Sequence, residues 1–153
     1  MSSDQEKLIY AFEFYRLIKQ ITRQMEIYRE KVAKLVGLSG AQLYILWELL
    51  IDGSLSYSDL AYRSGLAKNT LSSLAKTLLK KKLISQTSNP DDGRVTYLAL
   101  TEAGKQIMEQ VIDFSLSISP EGLNYLEKIL SIDHQENKDI LSYLRPIIRN
   151  DWG

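Results

Sequence analysis

Apolar residues recur every three or four positions along residues 4–35, which predicts one long amphipathic helix. No proline or glycine interrupts this segment before Gly37. At about 1.5 Å per residue, such a helix is roughly 45 Å long. One small domain cannot easily bury an apolar stripe of that length, so part of it is expected to meet a partner. The stripe consists of Leu8, Phe12, Tyr15, Ile18, Met25, Tyr28, Val32 and Leu35.

Two shorter helices are predicted next, and small residues mark their ends. The second helix is expected to follow Ser39 and to stop near Gly53, because glycine tolerates the left-handed conformation that ends helices. The third helix begins at Ser56, which forms a capping-box pattern with Asp59. Gly65 breaks this helix after only a few residues.

A fourth helix is predicted over residues 67–81, and its two sides differ in chemistry. The inner side is apolar and consists of Leu71, Leu74, Ala75, Leu78 and Leu79. The opposite side carries no acid and consists of Asn69, Ser73, Lys76, Thr77 and Lys80. A helix, a glycine turn and a second helix with a polar and basic outer side form the helix-turn-helix pattern.

Two strands are predicted at residues 83–88 and 95–100, joined by the turn sequence NPDDG. A hairpin directly after a recognition-type helix is the winged-helix arrangement. Thr101 is expected to cap the next helix. Ser119 and Pro120 form another helix-start signal, and a final helix is predicted from about Ile132.

The charge is zero over the 153 residues but is unevenly distributed. Residues 56–100 hold seven basic and three acidic residues, whereas residues 101–153 hold five basic and nine acidic residues. A basic middle segment in a neutral chain is the asymmetry expected of a DNA-facing surface.

Composition argues against several other classes of protein. The chain has no cysteine and a single histidine, His134, so no metal site and no thiol chemistry are expected. It lacks a nucleophile–histidine pair and a phosphate-binding glycine loop, so neither an enzyme nor a cofactor is expected. No apolar run approaches the roughly 20 residues of a membrane span, and no signal peptide is evident. A cytoplasmic protein is therefore expected.

The order of elements and the sequence DDGRVTYLALTEAG at residues 91–104 resemble the MarR (multiple antibiotic resistance regulator) family of bacterial transcription factors. That family carries Asp-x-Arg in its wing, then a strand ending in Leu-Thr, then a helix. The corresponding residues are Asp92, Arg94, Leu100 and Thr101. The resemblance extends from about residue 5 to residue 149.

The resemblance implies a mainly α fold with a small β-hairpin wing (α+β), a winged helix-turn-helix with N- and C-terminal dimerisation helices. Residues 1–38 and 104–153 would form the helical dimerisation region and residues 39–103 the DNA-binding region, within one intertwined domain. It also implies a homodimer on double-stranded DNA at a pseudo-palindromic operator. Such a protein is typically a repressor that a small aromatic or anionic ligand releases.

Two positions depart from the family pattern. Lys82 stands where family members commonly have glycine, which would cost backbone energy if the position is left-handed. Ser73 and Thr77 stand in the recognition helix where arginines are common in the family. The base preference is therefore expected to differ from the family average.

Candidate DNA-binding residues lie on the fourth helix and in the wing. Asn69 could bond adenine, whereas Lys68 and Lys76 suit phosphate. Arg94 would enter the minor groove, and Asp92 would support it in the wing by pairing with its side chain and aiming it. The competing interpretation is an ordinary solvated helix side and a surface arginine. The full candidate set is Lys68, Asn69, Thr70, Ser72, Ser73, Lys76 and Arg94.

Aromatic residues also suggest a ligand pocket between the first, second and fifth helices. Its candidates are Phe14, Tyr15, Trp47 and Met108. Plain core and dimer packing explains these residues at least as well. The alternative function is a winged-helix protein-interaction module without specific DNA binding.

Overall fold

The structure, a computed structural model, describes residues 1–118 and comprises five helices and three strands in that range. Residues Met1–Ile112 form one compact unit, and Asp113–Gly153 form a second unit, of which only residues 113–118 are described. The predicted helix starts at Ser119 and Ile132 lie outside the described residues. The elements are α1 Ser3–Leu35, α2 Gly40–Asp52, β1 Ser54–Ser56, α3 Tyr57–Ser64, α4 Lys68–Lys80, β2 Ile84–Ser88, β3 Thr96–Leu100 and α5 Glu102–Ile118.

Serine caps begin the first three helices, as the sequence predicts for α2 and α3. Ser39 accepts a hydrogen bond from the backbone of Gln42, and Ser56 accepts one from Asp59. The side chains of Gln42 and Asp59 return a bond to the backbone of the capping serine, which completes a capping box in each case. Gly53 and Gly65 both have positive φ at the ends of α2 and α3, as expected.

α1 is one continuous helix of 33 residues, and only its last turns pack on the rest of this unit. Residues 1–27 are exposed, whereas Val32 and Ala33 are buried. Within residues 1–118, no single helix is both long and apolar enough to cross a membrane. α1 and α2 satisfy that test of length and composition only as a pair, and a bend of 94° separates them.

The sheet has three antiparallel strands in the order β1–β3–β2, where the sequence predicted only the hairpin β2–β3. In the hairpin, Ile84 lies opposite Leu100. β1 adds a third strand, with Leu55 opposite Leu98. β1 has only three residues, which follow Gly53 and end on the helix cap Ser56. So short a segment gives no periodicity, and β1 therefore depends on the partner strand that only the fold supplies.

The core lies where α2, α3, α4 and the sheet meet. The sides of α2 and α4 that face it are apolar at helical spacing, as the sequence predicts. Two residues of α5, Met108 and Val111, complete this core. Its fully buried large side chains are Val32, Leu43, Ile45, Leu46, Leu49, Leu60, Leu71, Leu78, Leu98, Met108 and Val111.

The base of the wing is held by backbone contacts around Leu83. Leu83 donates its N–H to Leu78 and accepts the N–H of Thr101 at 3.1 Å through its carbonyl oxygen. Thr101 caps α5, as predicted, by accepting the N–H of Gly104 at 3.1 Å, and its hydroxyl donates to the carbonyl of Lys82 at 2.6 Å. Lys82 has a left-handed φ of 58° at the position where family members commonly have glycine. The backbone cost expected for a non-glycine residue in this conformation therefore applies.

Gly104→Ala should destabilise the fold, because a Cβ at this position would collide with the backbone carbonyl of Leu83. A backbone atom cannot move aside as a side chain can, so the free energy of unfolding should fall by about 2–3 kcal/mol. Urea denaturation measures this loss. Gly93→Ala is the matched control, since a Cβ there has no neighbour within 4 Å, and its stability should stay close to that of the wild type. Equal stabilities of the two variants would contradict the close approach.

Candidate nucleic-acid interface

α3 and α4 form the helix-turn-helix, and burial of one side of α4 decides which side faces solvent. Leu71, Ala75 and Leu78 of α4 are buried. α4 also packs against α3 and β2. β2, the first strand of the wing, begins at Ile84, soon after α4 ends at Lys80. This packing leaves the polar side of α4 without protein neighbours to cover it.

The structure brings the six candidate residues of α4 together in its first three turns. Lys68, Asn69, Thr70, Ser73 and Lys76 are exposed, and Ser72 is half-buried. Neither Lys68 nor Lys76 forms an ion pair with any residue between 1 and 118. Thr77 donates its hydroxyl to the carbonyl of Ser73 at 3.2 Å, so this hydroxyl is partly occupied within the helix.

The start of α4 has no side-chain cap. Its N-cap residue is Ala67, which offers no side-chain acceptor. The first intrahelical bond is donated by Leu71, so the N–H groups of Lys68, Asn69 and Thr70 have no acceptor within the helix. Unpaired N–H groups at a helix N-terminus favour an anion such as a phosphate.

The tip of the wing is a rigid turn built from side chains that bond to the backbone. Asn89 accepts the N–H of Asp91 at 2.9 Å through its side chain, and Asp92 accepts the N–H of Arg94 at 3.0 Å. The backbone of Val95 donates to Asp92 at 3.0 Å and closes the turn. Arg94 is exposed.

This geometry differs from the expected pairing of the Asp92 and Arg94 side chains. Asp92 bonds to the backbone of Arg94, and no ion pair joins the two side chains in the described part of the chain. An aspartate two residues before its partner forms an Asx-turn, which satisfies the carboxylate locally. Asp92 therefore fixes the backbone that carries Arg94 and leaves the guanidinium uncompensated.

Arg63 contributes less to the basic character of residues 56–100 than the sequence suggests. Its guanidinium lies 3.3 Å from the carboxylate of Glu48 and also forms an ion pair with Asp52. Burial lowers the pKa of Arg63, but the bonds and charges of Asp52 and Glu48 outweigh burial and raise it. The two acids lie four residues apart on α2, which places them on one side of that helix. This spacing could have indicated from the sequence that a basic residue such as Arg63 is paired there.

The predicted ligand pocket is not assembled as the sequence suggested. Phe14 and Tyr15 are exposed on α1, whereas Met108 is buried in the core. Of the four candidates only Trp47 lines an open groove, of about 340 Å³, between α1, α2 and the end of α3. The other lining residues are Thr22, Met25, Glu26, Arg29, Ala41, Tyr44, Ser64 and Leu66.

Arg29 and Tyr44 determine the polarity of this groove. The Arg29 guanidinium lies 5.2 Å from the centre of the Tyr44 ring, a cation–π distance. Its Nε atom is buried and has no hydrogen-bond partner within residues 1–118. Burial, with Glu48 beside it, raises the pKa of Tyr44 to about 12, so its hydroxyl keeps its proton and donates to the carbonyl of Arg63.

Residues 36–95 match the model of the MarR family, a segment that runs from the residue after α1 to the residue before β3. Among curated proteins, the HTH-type transcriptional repressor MdtR of Bacillus subtilis is 34% identical over 100 residues. That match covers 64% of this chain and 64% of MdtR, so less than two thirds of MdtR is spanned. The HTH-type transcriptional regulator SarZ of Staphylococcus epidermidis is 27% identical over 142 residues, with 93% and 88% of the two chains covered.

A solved structure shares the fold. The crystal structure of the YusO protein from Bacillus subtilis has a TM-score of 0.57 and 28% identity, and the match covers 92% of this chain and 99% of YusO. The element order, the wing and the helix-turn-helix described above agree with this likeness, which confirms the winged-helix fold expected from the sequence. Over residues 36–95 the chain is similar to the MarR family, and the curated relatives that it resembles are HTH-type transcriptional regulators.

Proposed function

We propose that this protein is a sequence-specific transcriptional regulator of double-stranded DNA and acts as a repressor. The observation that carries the proposal is the exposed side of α4, which has no acid and three lysines that form no ion pair with residues 1–118, next to a wing whose tip presents Arg94. DNA affinity depends chiefly on uncompensated cations that meet phosphates. The repressor role is supported by the name of the relative MdtR.

Each candidate residue has a role that follows from its place. Asn69 lies in the first turn of α4, where a side chain can reach base edges and can bond adenine through two atoms. Lys68 and the free N–H groups of the same turn suit a phosphate, and Lys76 suits a second phosphate two turns later. Arg94 suits a narrow minor groove, where negative potential is concentrated.

A homodimer is part of the proposal, with residues 1–38 and 104–153 as its dimerisation region. The support is the exposed apolar surface of α1, because a soluble monomer rarely leaves so large a contiguous patch uncovered. The exposed large apolar residues of α1 are Leu8, Ile9, Tyr10, Phe12, Phe14, Tyr15, Leu17, Ile18, Ile21, Met25, Ile27 and Leu35. A two-fold dimer would bind a pseudo-palindrome with half-sites about 10 bp apart.

DNA binding is tested by selecting duplexes from a random library with the full-length protein and titrating the selected site against salt. We expect a pseudo-palindromic site, with log affinity falling by about 0.9 units per log unit of salt for each phosphate contact. Gel filtration of the free protein measures the dimer. A dimer that enriches no sequence and binds no duplex at low salt would contradict the proposal and favour the protein-interaction module.

Arg94→Ala should weaken operator binding by about tenfold or more, since the side chain is exposed and uncompensated and a groove contact contributes about 1–3 kcal/mol. Arg94→Lys is the matched control, because it keeps the charge but not the planar guanidinium. We expect Lys to keep the salt slope and to recover only part of the affinity, as measured by fluorescence anisotropy. Unchanged affinity of Arg94→Ala would exclude the minor-groove role.

The groove of Trp47 and Arg29 is the proposed effector site, where an aromatic anion would release the DNA. Its volume is in the range of small-molecule sites, its walls are mainly aromatic and apolar, and the buried Nε of Arg29 has no acceptor among residues 1–118. A carboxylate would supply that acceptor, although Glu26 also lines the groove and would oppose a ligand placed close to it.

Arg29→Met should weaken binding of phenylacetate by about tenfold or more, because the charge-assisted bond is lost while an unbranched stem like that of arginine is kept. Isothermal titration calorimetry measures the affinity, and benzyl alcohol serves as the uncharged control probe. Circular dichroism of the variant establishes that it is folded. Equal affinity of the wild type and Arg29→Met for phenylacetate would exclude Arg29 as the anion-binding group.

A further inference from the structure

The junction between α1 and α2 is held by charged side chains on both sides, at residues 37–40. Lys81, the C-cap residue of α4, donates from Nζ to the carbonyl oxygen of Gly37 at 3.0 Å, across 44 positions in sequence. Glu30 accepts the N–H of Gly40 at 2.8 Å through its carboxylate. One contact therefore stabilises the end of α1 and the other stabilises the start of α2.

Both contacts have the favourable sign for a helix end. The carbonyl of Gly37 lies just past the C-cap of α1, so the ammonium group of Lys81 is placed beside the helix end that carries partial negative charge. The N–H groups that start α2 carry partial positive charge, which the Glu30 carboxylate complements. Gly37 has φ of 70°, a conformation that favours glycine, and the chain bends by 94° between α1 and α2.

Because α1 is long, a small rotation at this junction causes a large displacement at the far end of the helix. Within Met1–Ile112, α1 packs on the core only through its last turns, near Tyr28, Val32 and Ala33, while residues 3–27 extend for about 37 Å as exposed helix. A rotation of about 5° at the junction displaces groups at that distance by about 3 Å. This is close to the axial rise of one base pair, about 3.4 Å.

We propose that Lys81, with Glu30, is a positioning residue that sets the spacing of the half-sites that the dimer accepts. The inference rests on the proposed function, because it needs two copies that contact each other along α1. Lys81 bonds from the end of α4 to Gly37, two residues after the last residue of α1, so it links the segment that follows the dimerisation helix to the DNA-binding helix. Its ammonium group is engaged at Gly37 and is not a phosphate ligand.

The test uses duplexes that carry the selected half-sites at centre-to-centre spacings from 8 to 13 bp, about one helical turn, and a duplex with a single half-site. For Lys81→Met, we expect the ratio of affinities between the best spacing and its neighbours to fall by about threefold or more. Affinity for the single half-site should stay within about twofold, and the salt slope should not change. Lys81→Arg should restore the wild-type spacing profile.

Lys80→Met is the matched control, since Lys80 is the adjacent exposed lysine and has no ion pair among the described residues. A phosphate contact at Lys80 would lower the overall affinity and the salt slope, but the spacing profile should be that of the wild type. Glu30→Ala loosens the same junction from the α2 side and should flatten the profile as Lys81→Met does. This second variant keeps the test decisive if Lys81→Met fails to fold.

The outcomes separate this inference from the function on which it rests. A wild type that binds no duplex overturns the proposed function and this inference with it. A wild type with a clear spacing preference that both Lys81→Met and Glu30→Ala retain overturns the positioning role alone. A decrease of about one unit in the salt slope of Lys81→Met would instead make Lys81 a phosphate contact, which also contradicts the proposal.

Discussion

The close approach of Gly104 to the carbonyl of Leu83 determines how the chain enters and leaves the wing. Only glycine leaves room for this carbonyl at the first turn of α5. The same carbonyl accepts the N–H of Thr101, so β2 and α5 are joined at their starts. Lys82 adopts its left-handed conformation between α4 and β2, and Thr101 bonds to its carbonyl. The wing, the recognition-type helix and α5 therefore share one backbone junction.

Around that junction, buried apolar residues hold the helices in place, and exposed polar residues form the candidate DNA-binding surface. Leu71, Ala75 and Leu78 hold α4 against the core and thereby turn its polar side outward. The wing tip uses Asp92 to fix a turn, which leaves Arg94 exposed. Arg63 is compensated by Glu48 and Asp52, so the uncompensated charge lies on α4 and in the wing. Residues of the same charge thus differ in role because of their neighbours.

Most of the fold and part of the candidate site could be predicted from the sequence. Ser39, Ser56, Gly53 and Gly65 mark helix ends through local chemistry, which acts between residues close in the chain. The six candidates on α4 also follow from helical periodicity. The groove could not be predicted in the same way, because Arg29 and Trp47 belong to different helices and meet only through packing.

The sequence by itself determined the helices, their caps, the hairpin turn and the polar side of α4, since these depend on interactions over about four residues. The tertiary structure alone decided the third strand, the burial of Met108 and the contact of Lys81 with Gly37. The reason is physical. Each of these depends on groups that the folded chain brings together or orients, and no local pattern records where a distant partner will lie.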